Sequence, residues 1–268
     1  ESTGAIAGDM IITAGYNQAV KAMDRITGEE RWTYTTEYGV QGAPLIVQDR
    51  VYIATDHRVY ALDLESGELI WKASTGTEGA YMGAPAYENG VIYTTGGKLL
   101  LALEAESGKE IWRTQKDEMF LGPTVANGMV YVGNFDRKLY AFDRSNGEEK
   151  WSFDGEEVFW SSPAASKDVI YAGNDRTVYA LDAQTGEMLW SFEAESRSTS
   201  EPLISDGVVY VSDSSHEFPR GPRHLYALDA GTGELLWEYE TISTFLPAPA
   251  LGEGAIYVTS TGEISALE

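Results

Sequence analysis

Ala61-Leu62-Asp63-Leu64-Glu65-Ser66-Gly67-Glu68-Leu69-Ile70-Trp71 is one of six near-copies of a single phrase, Ala-x-Asp/Glu-x-x-(Thr/Ser/Asn)-Gly-x-x-x-Trp. The others run Ala22 to Trp32, Ala102 to Trp112, Ala141 to Trp151, Ala180 to Trp190 and Ala227 to Trp237. A seventh copy starts at Ala266 and is cut off at Glu268. Consecutive Trp residues stand 39, 41, 39, 39 and 47 positions apart. A fixed period in this range marks a repeat architecture, in which each unit is one supersecondary element that buries its apolar face against its neighbours.

Working outward from Ala61–Trp71, the unit divides into four short strands. Gly42–Val47 reads as an inner strand A, Arg50–Thr55 as B, Arg58–Asp63 as C and Leu69–Ala73 as D. Val, Ile and Tyr in alternation suit half-buried strands, and Gln48-Asp49, Asp56-His57 and Glu65-Ser66-Gly67-Glu68 are turn compositions. No segment shows sustained helical periodicity. Strand B recurs in seven copies, from Met10–Thr13 to Ala255–Val258. Four-stranded antiparallel units repeated radially make a β-propeller. The expected fold is therefore all-β: a seven-bladed propeller, one domain over residues 1–268. The long interval before Trp237 comes from an insertion between strands B and C of the sixth unit. The first unit has a short strand A near Gly4–Ala7. The seventh lacks a strand D, so either its blade is three-stranded with an open edge or the chain is a fragment of a longer ring.

The phrase has a local logic. Gly28, Gly67, Gly108, Gly147, Gly186 and Gly233 sit where a C–D hairpin needs positive φ. Asp and Thr side chains satisfy turn amides. Ala leaves room for a large ring, so Trp32, Trp71, Trp112, Trp151, Trp190 and Trp237 are expected to wedge between blades as structural residues.

These residues resemble the tryptophan-docking motif of the PQQ-like repeat family, the quinoprotein-type β-propellers. The likeness covers almost the whole chain. Departures are mild: Ser66, Ser107 and Asn146 stand in for Thr, and Glu104 for Asp. The family includes eight-bladed alcohol and glucose dehydrogenases, a non-catalytic bacterial outer-membrane assembly lipoprotein, and sensor domains of receptor kinases. The resemblance therefore implies three functions: a binding or scaffolding module, a PQQ-dependent oxidoreductase or its remnant, or a sensor domain. Dehydrogenases of the family are larger, often carry a disulfide of adjacent cysteines, and hold Ca²⁺ with PQQ. This chain has no cysteine and no recognisable Ca²⁺ constellation. The expectation is a non-catalytic binding module with no catalytic residue, no metal and no cofactor; PQQ with Ca²⁺ belongs to the oxidoreductase alternative. An exported or cell-envelope setting is favoured over the cytoplasm.

Composition excludes several classes. The formal charge is −23, from 42 acidic and 19 basic residues. Such a surface repels phosphate backbones and anionic membranes, so nucleic acid is not an expected partner. Dense carboxylates read as adaptation to high salt. No apolar run approaches the length of a membrane helix, so no membrane insertion is expected. No signal peptide is visible, and the chain opens on Glu1 without Met, as in a mature or trimmed form. Gly-x-Ser-x-Gly is absent, and Gly96-Gly97-Lys98 reads as a hairpin turn rather than a phosphate loop.

Two places are candidate sites for a protein or small-ligand partner. In a propeller the D–A and B–C loops open on one face, around the central channel. Aligned on the strand-A proline, Tyr81, Met82, Phe120, Phe159, Trp160 and Phe245 form a broken apolar ring near that mouth, with Arg197 beside it. They either line a ligand cup or begin strand A and pack between blades. The second place is the insertion Ser214–His224, which holds His216, Arg220, Arg223 and His224 in an otherwise acidic protein. It reads as an anion or acidic-partner site, or as a solvated loop.

Overall fold

The computed structural model describes residues 4–76, 83–197, 199–213, 223–241, 249–252, 255–260 and 263–267. Every described regular element is a strand. Blade 1 holds β1 (Ala5–Ala7), β2 (Met10–Ala14), β3 (Ala19–Asp24) and β4 (Glu30–Thr35). Blade 2 holds β5 (Leu45–Val47), β6 (Arg50–Ala54), β7 (Arg58–Asp63) and β8 (Leu69–Ser74). Blade 3 holds β9 (Ala86–Glu88), β10 (Val91–Gly96), β11 (Leu99–Glu104) and β12 (Glu110–Gln115). Blade 4 holds β13 (Phe120–Ala126), β14 (Met129–Asn134), β15 (Lys138–Asp143) and β16 (Glu149–Asp154). Blade 5 holds β17 (Ala164–Ser166), β18 (Val169–Gly173), β19 (Thr177–Asp182) and β20 (Met188–Glu193). Blade 6 holds β21 (Leu203–Ser205), β22 (Val208–Ser212), β23 (Arg223–Asp229) and β24 (Leu235–Thr241). Blade 7 holds β25 (Ala250–Gly252), β26 (Ala255–Ser260) and β27 (Glu263–Leu267). Strand order follows the chain within each sheet; six sheets have four strands and the last has three. This is a seven-bladed β-propeller of antiparallel blades.

The chain forms two compact units: Glu1–Asp136 with Phe142–Glu149, and Arg137–Ala141 with Lys150–Glu268. In the first unit, Met10, Ile12 and Val20 of blade 1 pack with Val51, Ile53 and Leu62 of blade 2. Tyr52, Val59 and Trp71 pack with Leu99, Leu101 and Leu103 of blade 3. The segments that lead into its inner strands come close backbone to backbone: a Cβ on Gly83 would collide with Gly122 of β13, and one on Gly42 would stand 2.6 Å from Ala84 N. In the second unit, Tyr171, Val178 and Trp190 pack with Val209, Val211 and Leu228 of blade 6.

Local sequence explains the hairpins. Asn89-Gly90 and Asn127-Gly128 join strands A and B with positive φ at both residues, the requirement of a type I′ turn. The phrase glycines Gly28, Gly67, Gly108, Gly147, Gly186 and Gly233 all adopt φ between 70° and 74°. Where the phrase has Asp, it caps the C–D turn: Asp63 Oδ1 accepts from Ser66 N at 2.8 Å, and Asp182 Oδ1 from Thr185 N at 2.8 Å. Gly97-Lys98 is the turn joining β10 to β11, and Gly96 closes β10.

The outer strands β8, β12, β16 and β20 are exposed apart from the buried Trp and a half-buried residue two positions on. Each Trp pairs across the sheet with the phrase Ala, and a register shift follows at once (Ala61↔Trp71, Ala102↔Trp112, Ala180↔Trp190). The ring then lies on the next blade's phrase glycine. A Cβ on Gly67 would meet the Trp32 ring at 2.5 Å, and one on Gly108 the Trp71 ring at 2.5 Å. So glycine is demanded twice, by φ and by the indole pressed against it. The first five indole Nε1 groups also donate to the carbonyl that follows the next blade's Asp/Glu: Trp32 to Leu64 at 2.9 Å, Trp71 to Ala105 at 2.9 Å, Trp112 to Arg144 at 2.9 Å, Trp151 to Ala183 at 3.1 Å and Trp190 to Ala230 at 3.0 Å.

Candidate functional site

The last residue of strand B, or the one just after it, is polar and fully buried in four blades: Thr55, Asn134, Asn174 and Asp213. Burial of a polar group costs free energy unless it is hydrogen-bonded, and each of these spends its bonds on the B–C turn. Thr55 Oγ1 donates to Arg58 O at 3.0 Å. Asn134 Oδ1 accepts from Asp136 N at 2.9 Å, and its Nδ2 donates to Glu118 O at 3.0 Å. Asn174 Oδ1 accepts from Thr177 N at 2.8 Å, and its Nδ2 donates to Gly155 O at 2.6 Å. Each Asn thereby ties its own turn to the D–A loop of the preceding blade.

Asp213 in blade 6 breaks the pattern, because a carboxylate only accepts. Its Oδ1 accepts from His224 N at 2.8 Å; its Oδ2 accepts from Ser196 N at 2.9 Å and from Tyr226 Oη at 2.9 Å. The D–A loop before blade 6 therefore offers an N–H where the loop before blade 5 offers a carbonyl. A fully buried carboxylate also needs positive charge or dense donors. His224 Nδ1 stands 3.4 Å from Asp213 Oδ2, and its Nε2 3.7 Å from the exposed Glu195 carboxylate. The His224 ring stacks on Tyr226 with centroids 5.4 Å apart. Burial, followed by the charges of Asp213 and Glu195, pushes the Tyr226 phenol well above its ordinary range, so it stays a donor. Arg197, exposed in the same loop, faces Asp175 across 3.6 Å.

The arrangement is a buried acid–imidazole–phenol post under a surface of mixed charge. It fixes two loops. Among the described residues, no group of three or more His, Cys, Asp or Glu is placed to hold a metal ion.

The expected apolar ring divides in two. Phe120 and Phe159 are fully buried. Phe120 heads β13 and meets Phe142 edge-on at 5.9 Å; Phe159 packs on Tyr179 at 6.0 Å and closes over Gly155. Both serve the packing option, not a solvent-facing cup. Trp160 is 45% exposed and Arg197 is exposed. Tyr81, Met82, Phe245, His216 and Arg220 lie outside the described residues. Arg223 and His224, assigned by sequence to the insertion loop, instead open β23 and are buried. The reason is Asp213: its bonds to the His224 backbone and to Tyr226 start the strand two residues early. Asp213 itself escaped sequence reasoning. The signal was there in the series Thr55, Asn134, Asn174, Asp213, one hydrogen-bonding residue type after another at one repeat position.

A family model described as "Outer membrane protein assembly factor BamB" matches residues 1–82, 55–174 and 156–268. No curated protein matches the chain in sequence. Among solved structures, BamB from Moraxella catarrhalis superimposes with a TM-score of 0.82 at 18% identity, covering 99% of this chain and 83% of that one. The computationally designed Ika8 protein gives 0.72 at 14% identity, with 99% and 94% covered. Quinohemoprotein alcohol dehydrogenase from Comamonas testosteroni gives 0.77 at 14% identity; 96% of this chain is covered, but only 63% of that one. At these identities the structural likeness is one of fold.

Proposed function

Because the chain belongs to the PQQ-like repeat family described as outer membrane protein assembly factor BamB, we propose that it is a non-catalytic scaffold of the cell envelope that binds a protein partner. The binding surface is the end of blades 5 and 6 where Trp160, Arg197, Asp175 and Glu195 emerge. One observation carries this reading: Trp160, the only Trp outside the repeat phrase, is 45% exposed. An exposed indole and an exposed Arg are residue types of binding hot spots. The Asp213–His224–Tyr226 network holds Ser196, the residue before Arg197, in one geometry, so little ordering entropy is lost on docking there. The strongly acidic surface suits a high-salt setting and a partner with basic patches. No helix among the described residues is long and apolar enough to cross a membrane.

The test compares the wild type with Trp160→Ala and Arg197→Glu in affinity purification from envelope extracts. Both variants should melt with the wild type and lose the protein it retains. Retention of that protein by both variants would overturn the surface. In parallel, PQQ and Ca²⁺ are added with alcohols or sugars and a redox dye; substrate-dependent dye reduction would overturn the non-catalytic reading.

A further inference from the structure

Outer strands differ in charge from blade to blade. β4, β8, β12 and β16 each hold a cation, Arg31, Lys72, Arg113 and Lys150, whereas β20 and β24 hold none. Ion pairs follow the same division: Lys21–Glu30, Arg31–Asp24, Lys72–Glu37 and Lys116–Glu149 all belong to blades 1–4. Blades 5 and 6 carry Glu187, Glu193, Glu234, Glu238 and Glu240 on their outer strands and the turns before them, all exposed. Among the described residues none of these five carboxylates is in an ion pair.

Apolar side chains stand among them. Ala180 pairs with Trp190 and Leu181 with Met188, so Leu189 is the extra residue of a bulge, as Leu236 is in blade 6. The bulge leaves two consecutive residues facing solvent: Met188 and Leu189 are each 54% exposed, and Leu235 and Leu236 are 46% and 51% exposed. Leu69 and Ile70 of blade 2 are exposed too, so exposure belongs to the position. What sets blades 5 and 6 apart is that two such pairs adjoin. The Trp190 ring lies on Gly233, so Leu189, next to that Trp, and Leu235, two residues after that glycine, stand on either side of one contact. The blade 2 pair instead adjoins Lys109 and Glu110, which follow Gly108 under the Trp71 ring and separate it from Ile111. A lone exposed leucine is ordinary on a protein surface; four apolar side chains in one strip mark an interaction site.

We propose that this strip docks an amphipathic helix of a partner protein, with an apolar stripe flanked by Lys and Arg. Charge selects the occupant. The strip's charged neighbours are carboxylates without cations, and a basic flank supplies the partners that Lys and Arg supply within blades 1–4. A second copy of this chain, itself at −23, is repelled, and so is an anionic membrane. Geometry selects the helix. The strip runs from blade to blade, across the beginnings of two strands. An extended segment laid along it pairs with at most one strand edge and leaves its remaining backbone groups open, whereas a helix satisfies its own. Apolar side chains at i, i+3, i+4 and i+7 then lie along the strip. These residues begin their outer strands, while Trp160 follows the end of one, so the two surfaces are separate and either can fail without the other.

The probe is a labelled helical peptide of about 18 residues, with Leu at i, i+3, i+4 and i+7 and Lys elsewhere. Fluorescence anisotropy with residues 1–268 should show saturable binding. Leu189→Ser combined with Leu235→Ser should weaken it about tenfold, the scale of a hot-spot side chain. Glu187→Lys combined with Glu234→Lys should weaken it several-fold. All four positions are exposed, and thermal melting checks that the variants stay folded. Ile70→Ser, the matching change in blade 2, should leave binding unchanged. Failure to bind, or equal weakening by Ile70→Ser, would overturn the proposal. Equal binding of a peptide of the same composition with its leucines scattered round the helix would also overturn it, because charge alone then accounts for the binding. So would a homodimer that the Leu189→Ser, Leu235→Ser protein does not form, because the occupant is then a second copy.

Discussion

Trp71 and Trp237 occupy the same position of the same phrase, pair with the same Ala in the same register, and face a Tyr at the same distance. One is 8% exposed and the other 37%. Nothing within their own blades separates them. The difference is the turn of the following repeat, which covers Trp71 with Gly108 and accepts its proton at Ala105 O. The phrase is thus a wedge at one end and a seat at the other, and a repeat is stable only with its neighbour.

Truncation separates the two regions most widely. Trp71→Ala or Trp112→Ala should cost about 3–5 kcal/mol, the range for emptying a large aromatic site. Trp237→Ala should cost roughly 1 kcal/mol, because much of its ring is already in water. Equilibrium unfolding in urea reads both; equal losses would break the comparison.

Glycines sharpen it. Gly108 and Gly128 both have positive φ, but a Cβ on Gly128 meets nothing within 4 Å. Gly128→Ala should cost about 1 kcal/mol for the backbone alone. Gly108→Ala adds the displaced indole and should reach about 3 kcal/mol. The sequence announces both glycines as turn residues, since φ is a local property. It hides the second demand on Gly108, because the ring that makes it lies 37 residues earlier in another blade. The same limit applies to the site. Strand order, hairpins and the three-stranded last blade were legible from periodicity and turn composition. The sequence left Phe159 between cup and packing, because its exposure is decided by Gly155 and Tyr179 and not by its own segment. His224 looked like loop chemistry because its burial depends on Asp213, eleven positions away.

Asp213→Asn should cost about 2 kcal/mol, since one amide oxygen replaces two acceptors and leaves Ser196 N or His224 N unsatisfied. Asn174→Asp, the mirror change, should lose as much by setting a carboxylate against Gly155 O. Loss at only one of the two would contradict the reversal of the loops.

Acid gives a smaller effect. The amide and hydroxyl of Ser66 hold Asp63 below the usual carboxylate range; those of Thr185 do so for Asp182, and the hydroxyl and amide of Thr232 for Asp229. A carboxyl with a lowered folded pKa stabilises the fold above its unfolded value, near pH 4, and the contribution is lost as pH falls through the lowered value. Asp63→Asn should flatten that acid limb and lower the melting temperature at pH 7, where the carboxylate's contribution is fully present. The gentlest effect is salt: with a net charge of −23, the melting temperature should rise from low to molar NaCl as repulsion is screened.

The most direct test of the central claim, that each indole is held by the next repeat's turn, is a double-mutant cycle between Trp71 and Gly108. Trp71→Ala removes the ring that Gly108→Ala would strike, so the combined loss should fall short of the sum by about 1–2 kcal/mol. Additive losses would mean that ring and glycine do not hold each other, and would contradict the account.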